Sequence, residues 1–155
     1  MSPAAFIDAN VPIYAAGRSH ALKEPCIEVL LLAADHPRAF VTDAEVFQEL
    51  LHRYLALRRW PQGREVFQRF SVLMQGRVEA IQAADVQRAA GLADSNEALG
   101  GQALLHAAVM QRLSVSRIIS ADAGFDRLPE MERLDPAKAD EWRDIVVAQL
   151  QADDN

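Results

Sequence analysis

Cysteine is all but missing from this chain of 155 residues: Cys26 stands alone, so no internal disulfide can form. That excludes a disulfide-built scaffold, fits a reducing compartment, and leaves Cys26 to be read as a small buried apolar side chain. Long hydrophobic runs are missing too. The longest, Val29 to Ala34, is far short of the roughly 20 residues that a membrane helix needs. Asp8 interrupts the first apolar residues too early for a signal peptide, so the cytoplasm is the expected location, with no membrane partner. Positive charge is scarce: the net charge is −6, and no global field draws in RNA or anionic lipid. A nucleic acid would have to be met by a local basic patch or a bound cation. The histidines His20, His36, His52 and His106 show no metal-ligand spacing, and there is no G-x-S-x-G elbow, P-loop or G-x-G-x-x-G. His106 lies in an apolar stretch and reads as a satisfied core histidine. Internal repeats and low-complexity tracts are also absent.

What remains is the composition of one globular domain, 50% hydrophobic and 25% charged, long enough for a core of its own. Short wholly apolar runs alternate with helical patterns. Phe6-Ile7 reads as a strand, Glu24 to Ala34 as a helix opening on Pro25, and Ala39 to Val41 as a second strand. Thr42-Asp43-Ala44-Glu45 has the form of a capping box, with Thr42 as cap and Glu45 reaching back. The helix it opens runs to about Leu57, with Phe47, Leu50, Leu51 and Tyr54 as its buried stripe. Trp60-Pro61-Gln62-Gly63 breaks the chain before a helix from about Arg64 to Met74. A possible strand at Val78 to Ile81, helices at Ala83 to Ala93 and Gln102 to Leu113, and a strand at Val115 to Ser120 complete the pattern. Such alternation predicts an α/β fold, a short parallel sheet covered by helices on both faces.

Three of these apolar runs end on acids. Phe6-Ile7 runs into Asp8, Phe40-Val41 into Thr42-Asp43 and a helix bearing Glu45 and Glu49, and Ile118-Ile119 into Asp122 with Asp126 beyond. In an open α/β sheet, ligands bind at the C-terminal edge of the strands. Carboxylates crowded there raise one another's pKa unless a cation lies among them, and oxygen-only ligands favour Mg2+ or Mn2+, ions that most often serve phosphoryl chemistry. Singly, Asp8, Asp122 and Asp126 read equally well as caps or turn residues, Glu45 as a capping partner, and Glu49 as an exposed side chain off the stripe.

The stretches FIDANVPIY, VTDAEVFQELLHRY and LLHAAVMQRLSVSRIISADAGFDRLPEMERLDP together resemble PIN-domain ribonucleases of the VapC toxin type, from VapBC toxin–antitoxin pairs. The resemblance implies a three-layer PIN-like fold over residues 1–136 with its acidic site at the strand ends. It also implies an Mg2+- or Mn2+-dependent endoribonuclease that cuts tRNA, rRNA or mRNA by an activated water. By the same resemblance Asp8, Glu49 and Asp122 match metal-binding acids, which favours Glu49 over Glu45 and Asp43. Asp126 matches a possible outer member, and Asn10 and Thr42 match polar positions around the site. A cognate VapB-type antitoxin and a homodimer are the implied partners. The candidate basic patch for RNA is Arg53, Arg58, Arg59, Arg64 and Arg69 with Trp60 among them, an aromatic able to stack on a base, although residue by residue these read at least as well as a solvated helix face and a hydrophobic turn.

One position departs from the pattern. The family carries an aspartate three residues before the histidine of LHAAV, and this chain has Ala103. The site is then weakened, or Asp94 or Glu97 substitutes, or the alanine is an introduced change. A catalytically dead PIN module that only binds antitoxin or RNA is the alternative. A dehalogenase-type phosphatase is a weaker one, because Asn10 stands where that class needs a second aspartate. Residues 137–155 extend beyond the pattern. Trp142, Ile145, Val146 and Leu150 have helical spacing and predict an extra packed helix with a frayed acidic tail.

Overall fold

The short apolar runs become strands because side chains on both of their faces find cover. The computed structural model describes residues 3–153, with side chains through residue 148. Its strands are β1 (Ala5–Ile7), β2 (Phe40–Asp43), β3 (Val78–Glu79), β4 (Arg117–Ile119) and β5 (Glu132–Leu134). All pair in parallel, in the order β3-β2-β1-β4-β5. Every residue of β1 and β2 is buried, as expected of parallel strands packed on both faces. The register sets Phe6 beside Val41 on one side and beside Ile118 on the other.

Helices α1 (Asn10–Ala16), α2 (Lys23–Asp35), α3 (Ala44–Ala56), α4 (Trp60–Leu73), α5 (Ala83–Ala93), α6 (Gly101–Leu113) and α7 (Ala139–Asp153) flank the sheet. From β1 the chain steps outward to β2 and β3, then crosses back to β4 on the other side of β1. The order therefore reverses between β1 and β4, and the crevice beyond their C-terminal ends is where such sheets bind ligands. No described helix is long and apolar enough to cross a membrane. Cys26 is fully buried, and burial pushes its thiol up to about 12.

Several local expectations are corrected. The cap of α3 is Asp43, whose Oδ1 accepts from the Val46 N–H at 3.0 Å. Thr42 cannot serve, because its hydroxyl donates to the Ile7 carbonyl at 2.9 Å and so ties β2 to the end of β1. Leu51 sits at the edge of the buried stripe, 37% exposed, while Phe47, Leu50 and Tyr54 are buried. Helix α4 begins at Trp60, since Pro61 falls in the first turn where its missing N–H is harmless. Gly63 is buried against Tyr54 of α3, and a Cβ there would overlap the Tyr54 side chain. The glycine is thus what lets α3 and α4 pack closely. Two elements had no sequence signal: α1, and the edge strand β5. On α7, Trp142 and Val146 join the main core and the Trp142 indole donates to the Asp135 carbonyl at 2.9 Å, while Ile145 faces outward. The Leu150 side chain and residues Asp154 and Asn155 lie outside the described residues.

Candidate active site

The end of β1 is bound to the end of β4 by the Asp8 N–H, which donates to the Ile119 carbonyl at 3.1 Å. This puts Asp8 at the crevice and fixes its backbone. Its carboxylate is fixed as well. Oδ1 accepts from the Ala9 N–H at 2.7 Å, and Oδ2 accepts from the Ser120 hydroxyl at 2.7 Å and from Asn10 Nδ2 at 3.2 Å. Ser120 Oγ in turn accepts from Asn10 Nδ2 at 2.9 Å and from the Asp122 N–H at 3.0 Å. Asn10 Oδ1 accepts from the Ala121 N–H at 3.1 Å. One small network therefore sets the carboxylate of β1 and the loop after β4 in a single frame. Burial pushes the Asp8 carboxyl above its ordinary value, against the pull of His106 and the Ser120 hydrogen bond.

Helix α3 contributes Glu49 and α6 contributes His106. His106 is fully buried, and its Nδ1 lies 2.8 Å from Asp43 Oδ2. Its Nε2 lies 3.3 Å from Glu49 Oε1 and 3.7 Å from Asp8 Oδ1, yet it has no hydrogen-bond partner among the described residues. The histidine is in the core as expected, but only its Nδ1 makes a hydrogen bond among the described residues. Burial opposes its charging. The hydrogen bond to Asp43, the approach of Glu49 and the charges of Asp43 and Asp8 outweigh that and push the imidazole up to about 10. Glu45, beside the same cluster, is raised by burial and by the charge of Glu49.

A cleft of about 310 Å³ opens on these groups, lined among others by Asp8, Asn10, Glu49, Ala103, His106 and Asp122. Asp8, Glu49 and His106 bring ligand atoms within 4.8 Å of one another, a separation that one cation can span. Asp122 shares the cleft without joining that trio; its Oδ1 accepts from the Gly124 N–H at 2.8 Å. Position 103 does face the acids, and neither Asp94 nor Glu97 lines the cleft. Asp126 points elsewhere and pairs with Arg133, which also donates to the Ser120 carbonyl at 3.1 Å. Thr42 supports Asp8 from beneath, through the Ile7 carbonyl. Sequence reasoning missed three contributors: Ser120, the unsatisfied face of His106, and Asp43 as its orienting partner. Only Ser120 carried a local signal, its place between a strand and Asp122.

The basic candidates divide. A second groove, of about 650 Å³, is lined among others by Tyr14, Arg18, His20, Arg53 and Arg59, and shares Asn10, Ile13 and Arg53 with the acid cleft. Among the described residues, Arg18, Arg53 and Arg59 have no ion-pair partner. Arg64 instead lies over the Trp60 ring, 5.6 Å from its centroid, and Trp60 packs edge-on to Phe67. Arg69 pairs with Glu65, and Arg58 occupies the positive-φ turn between α3 and α4. These last lie away from both grooves.

The PIN domain pattern matches residues 5–131. Ribonuclease VapC13 of Mycobacterium tuberculosis is 36% identical over 131 residues, covering 83% of this chain and 97% of that one. VapBC2 from Rickettsia felis, solved with a DNA fragment from its promoter, superposes with a TM-score of 0.63 at 18% identity over 84% of this chain and 98% of its own. A toxin–antitoxin complex from Klebsiella pneumoniae gives 0.59 at 16% identity, over 85% and 97%.

Proposed function

The chain belongs to the PIN-domain family, in its VapC group, and from that premise we propose that it is the endoribonuclease toxin of a toxin–antitoxin pair, cutting RNA at the Asp8–Glu49–Asp122 cleft. The observation that carries the reading is the buried convergence of Asp8, Glu49 and His106 at the switch point of the sheet. The two carboxylates suit a hard divalent cation, Mg2+ or Mn2+, and the buried imidazole nitrogen beside them makes no hydrogen bond among the described residues. Such an ion would supply charge neutralisation at the scissile phosphate and a more acidic water. The residues do the rest. Asp8 and Glu49 hold the charge-bearing oxygens, and Asn10 and Ser120 keep the Asp8 rotamer from drifting. No Ser, Thr, Cys or Lys lines the cleft among the described residues, which supports water as the nucleophile.

The groove with Arg18, Arg53 and Arg59 offers the strand flanking the cut three guanidinium groups without ion pairs among the described residues, with Tyr14 available to stack on a base. A VapB-type antitoxin fits the apolar groove of about 610 Å³ between α1, α2 and α4, lined by Leu30, Leu31, Val66, Phe70 and Leu73, as an amphipathic helix does. A homodimer is the expected assembly without antitoxin. Ala103 within the cleft favours a second reading, a module that binds RNA or antitoxin and cuts poorly, because one acid that would help hold an ion is missing. Incubating the purified chain with labelled RNA in Mn2+, in Mg2+ and in EDTA separates the two. Metal-dependent cleavage that Asp8→Asn abolishes supports the enzyme. RNA bound but intact under every condition supports the module.

A further inference from the structure

We propose that His106 is itself a metal ligand through Nε2, and that Asp8, Glu49 and His106 form a mixed oxygen–nitrogen site selecting a first-row transition ion such as Mn2+ or Co2+ over Mg2+. The inference rests on the metal-dependent reading above and adds the identity of the third ligand. Its geometric ground is a side chain built into the core and turned toward the carboxylates. The Asp43 carboxylate has both oxygens committed: Oδ1 accepts from the Val46 N–H at the start of α3, and Oδ2 lies 2.8 Å from His106 Nδ1. Asp43 is fully buried, so it cannot turn to water. It holds the imidazole by Nδ1 and directs Nε2 at Glu49 Oε1 and Asp8 Oδ1. A carboxylate on one ring nitrogen and a metal on the other is the arrangement that orients histidine ligands and raises their basicity.

Phe6 packs beside the ring, the centroids 5.2 Å apart and the planes tilted by 46°. Nε2 is buried, without a hydrogen bond, and aimed at the two carboxylate oxygens with which it lies within 4.8 Å. An ion entering there takes the place of the Nε2 proton. Nε2 approaches Glu49 Oε1 and Asp8 Oδ1 at 3.3 and 3.7 Å without forming a hydrogen bond to either, whereas buried polar groups nearly always make one.

The choice of ion follows from the ligands. Mg2+ takes oxygen ligands in near-ideal octahedral geometry, whereas imidazole nitrogen suits Mn2+, Fe2+, Co2+ and Zn2+ increasingly well. Where the family pattern carries another hard oxygen, this chain offers the methyl group of Ala103 in the same cleft. The loss of an oxygen and the presence of an aimed nitrogen push selectivity in one direction.

The test uses the full chain without RNA. Mn2+ and Mg2+ are titrated calorimetrically into the wild type, His106→Gln and Asp8→Asn, and the Mn2+-loaded proteins are measured by pulsed EPR with natural-abundance and 15N-histidine samples. The expected result is Mn2+ binding at least about tenfold tighter than Mg2+, the scale on which imidazole and its partners govern affinity. A nitrogen modulation that changes on 15N-histidine labelling should accompany it, and both should be lost in His106→Gln. Wild-type Mn2+ bound without nitrogen modulation overturns the proposal, and that reading needs no variant to fold. Mn2+ binding lost in Asp8→Asn but unchanged in His106→Gln also overturns it and leaves the nuclease reading intact. Mn2+ binding indifferent to Asp8→Asn removes the ion from this cleft, and the nuclease reading falls with it.

Discussion

Replacing Ser120 by alanine tests whether the frame around Asp8 is held as the structure describes. The hydroxyl is fully buried and makes three hydrogen bonds: it donates to Asp8 Oδ2 and accepts from Asn10 Nδ2 and the Asp122 N–H. A hydrogen bond to a charged partner contributes roughly 1.5–3 kcal/mol and a neutral one roughly 0.5–1.5. Asp8 Oδ2 keeps its bond from Asn10, and the Asp122 N–H lies near enough to the cleft to find water. The expected loss is therefore about 2–4 kcal/mol, a large share of the roughly 5–15 kcal/mol that holds a domain together. Urea unfolding should show a lower midpoint with an unchanged slope. Ser71→Ala, on the exposed side of α4, should stay within about 0.5 kcal/mol. Mn2+ affinity should fall as well, because the Asp8 carboxylate and the Asp122 loop no longer share an anchor. A Ser120→Ala protein with wild-type stability and wild-type metal affinity would refute the argument that this network positions the acids.

Gly63→Ala should destabilise the fold by about 1–3 kcal/mol in denaturant titrations, since overlap with Tyr54 outweighs the gain of up to about 1 kcal/mol in helix propensity. An alanine variant as stable as wild type would mean that α3 and α4 can separate. The Arg112 guanidinium, bonded to both oxygens of Asp85, holds that carboxyl below its ordinary value of 3.8. Its stabilisation is thus fully present above about pH 4 and lost as the pH falls through the folded value. Melting curves of wild type and Asp85→Asn should be well separated at neutral pH and converge in acid. Curves that stay parallel down to pH 2 would count against the pair. Ala103→Asp should restore a hard oxygen beside the ion, raise Mg2+ affinity by about tenfold, or ~1.4 kcal/mol, and lower the metal-free melting temperature. A melting temperature indifferent to metal would place residue 103 off the ion.

The sheet and its acids were legible because the strands are buried on both faces. Nothing but apolar residues survives in Phe6-Ile7, Phe40-Val41 and Ile118-Ile119, so an aspartate one to three residues after each pair marks both a strand end and a crevice. Edge strand β5 escaped notice for the opposite reason: Glu132 and Arg133 interrupt it, and both are spent on arginine–carboxylate pairs. Helix α1 has seven residues and carries Pro12, too short for a periodic pattern. Trp60 to Gly63 misled because proline and glycine there serve an N-terminal turn and a close helix contact, uses that a linear reading cannot tell from a break. The capping box misled because Thr42 and Asp43 compete for the same role, and only the third dimension reveals that the Thr42 hydroxyl is claimed by Ile7. The least legible residue was His106. An apolar helix predicts its burial, but whether Nε2 meets a partner depends on Asp8 and Glu49, brought in from two other elements.

On the proposed function, the same cleft would be the place where the RNA and an inhibitory partner meet. Asp8, Glu49 and Asp122 line it, Glu45 lies close behind, and the positive groups that reach it are His106 and Arg53. Three carboxylates line the cleft against one imidazole and one guanidinium, so the site has room for a further positive charge. Any positive group that arrives is favoured, whether a divalent ion with its phosphate or an arginine or lysine on an antitoxin arm. The two compete for the same deficit. On the proposed function, a basic side chain that fills it would remove the electrostatic reason for the ion to bind, and without the ion the acids would repel the phosphate of RNA. Inhibition on that reading would require no change in the fold, only a tethered cation that reaches the cleft, and the apolar groove between α1, α2 and α4 would supply the hold that keeps it there.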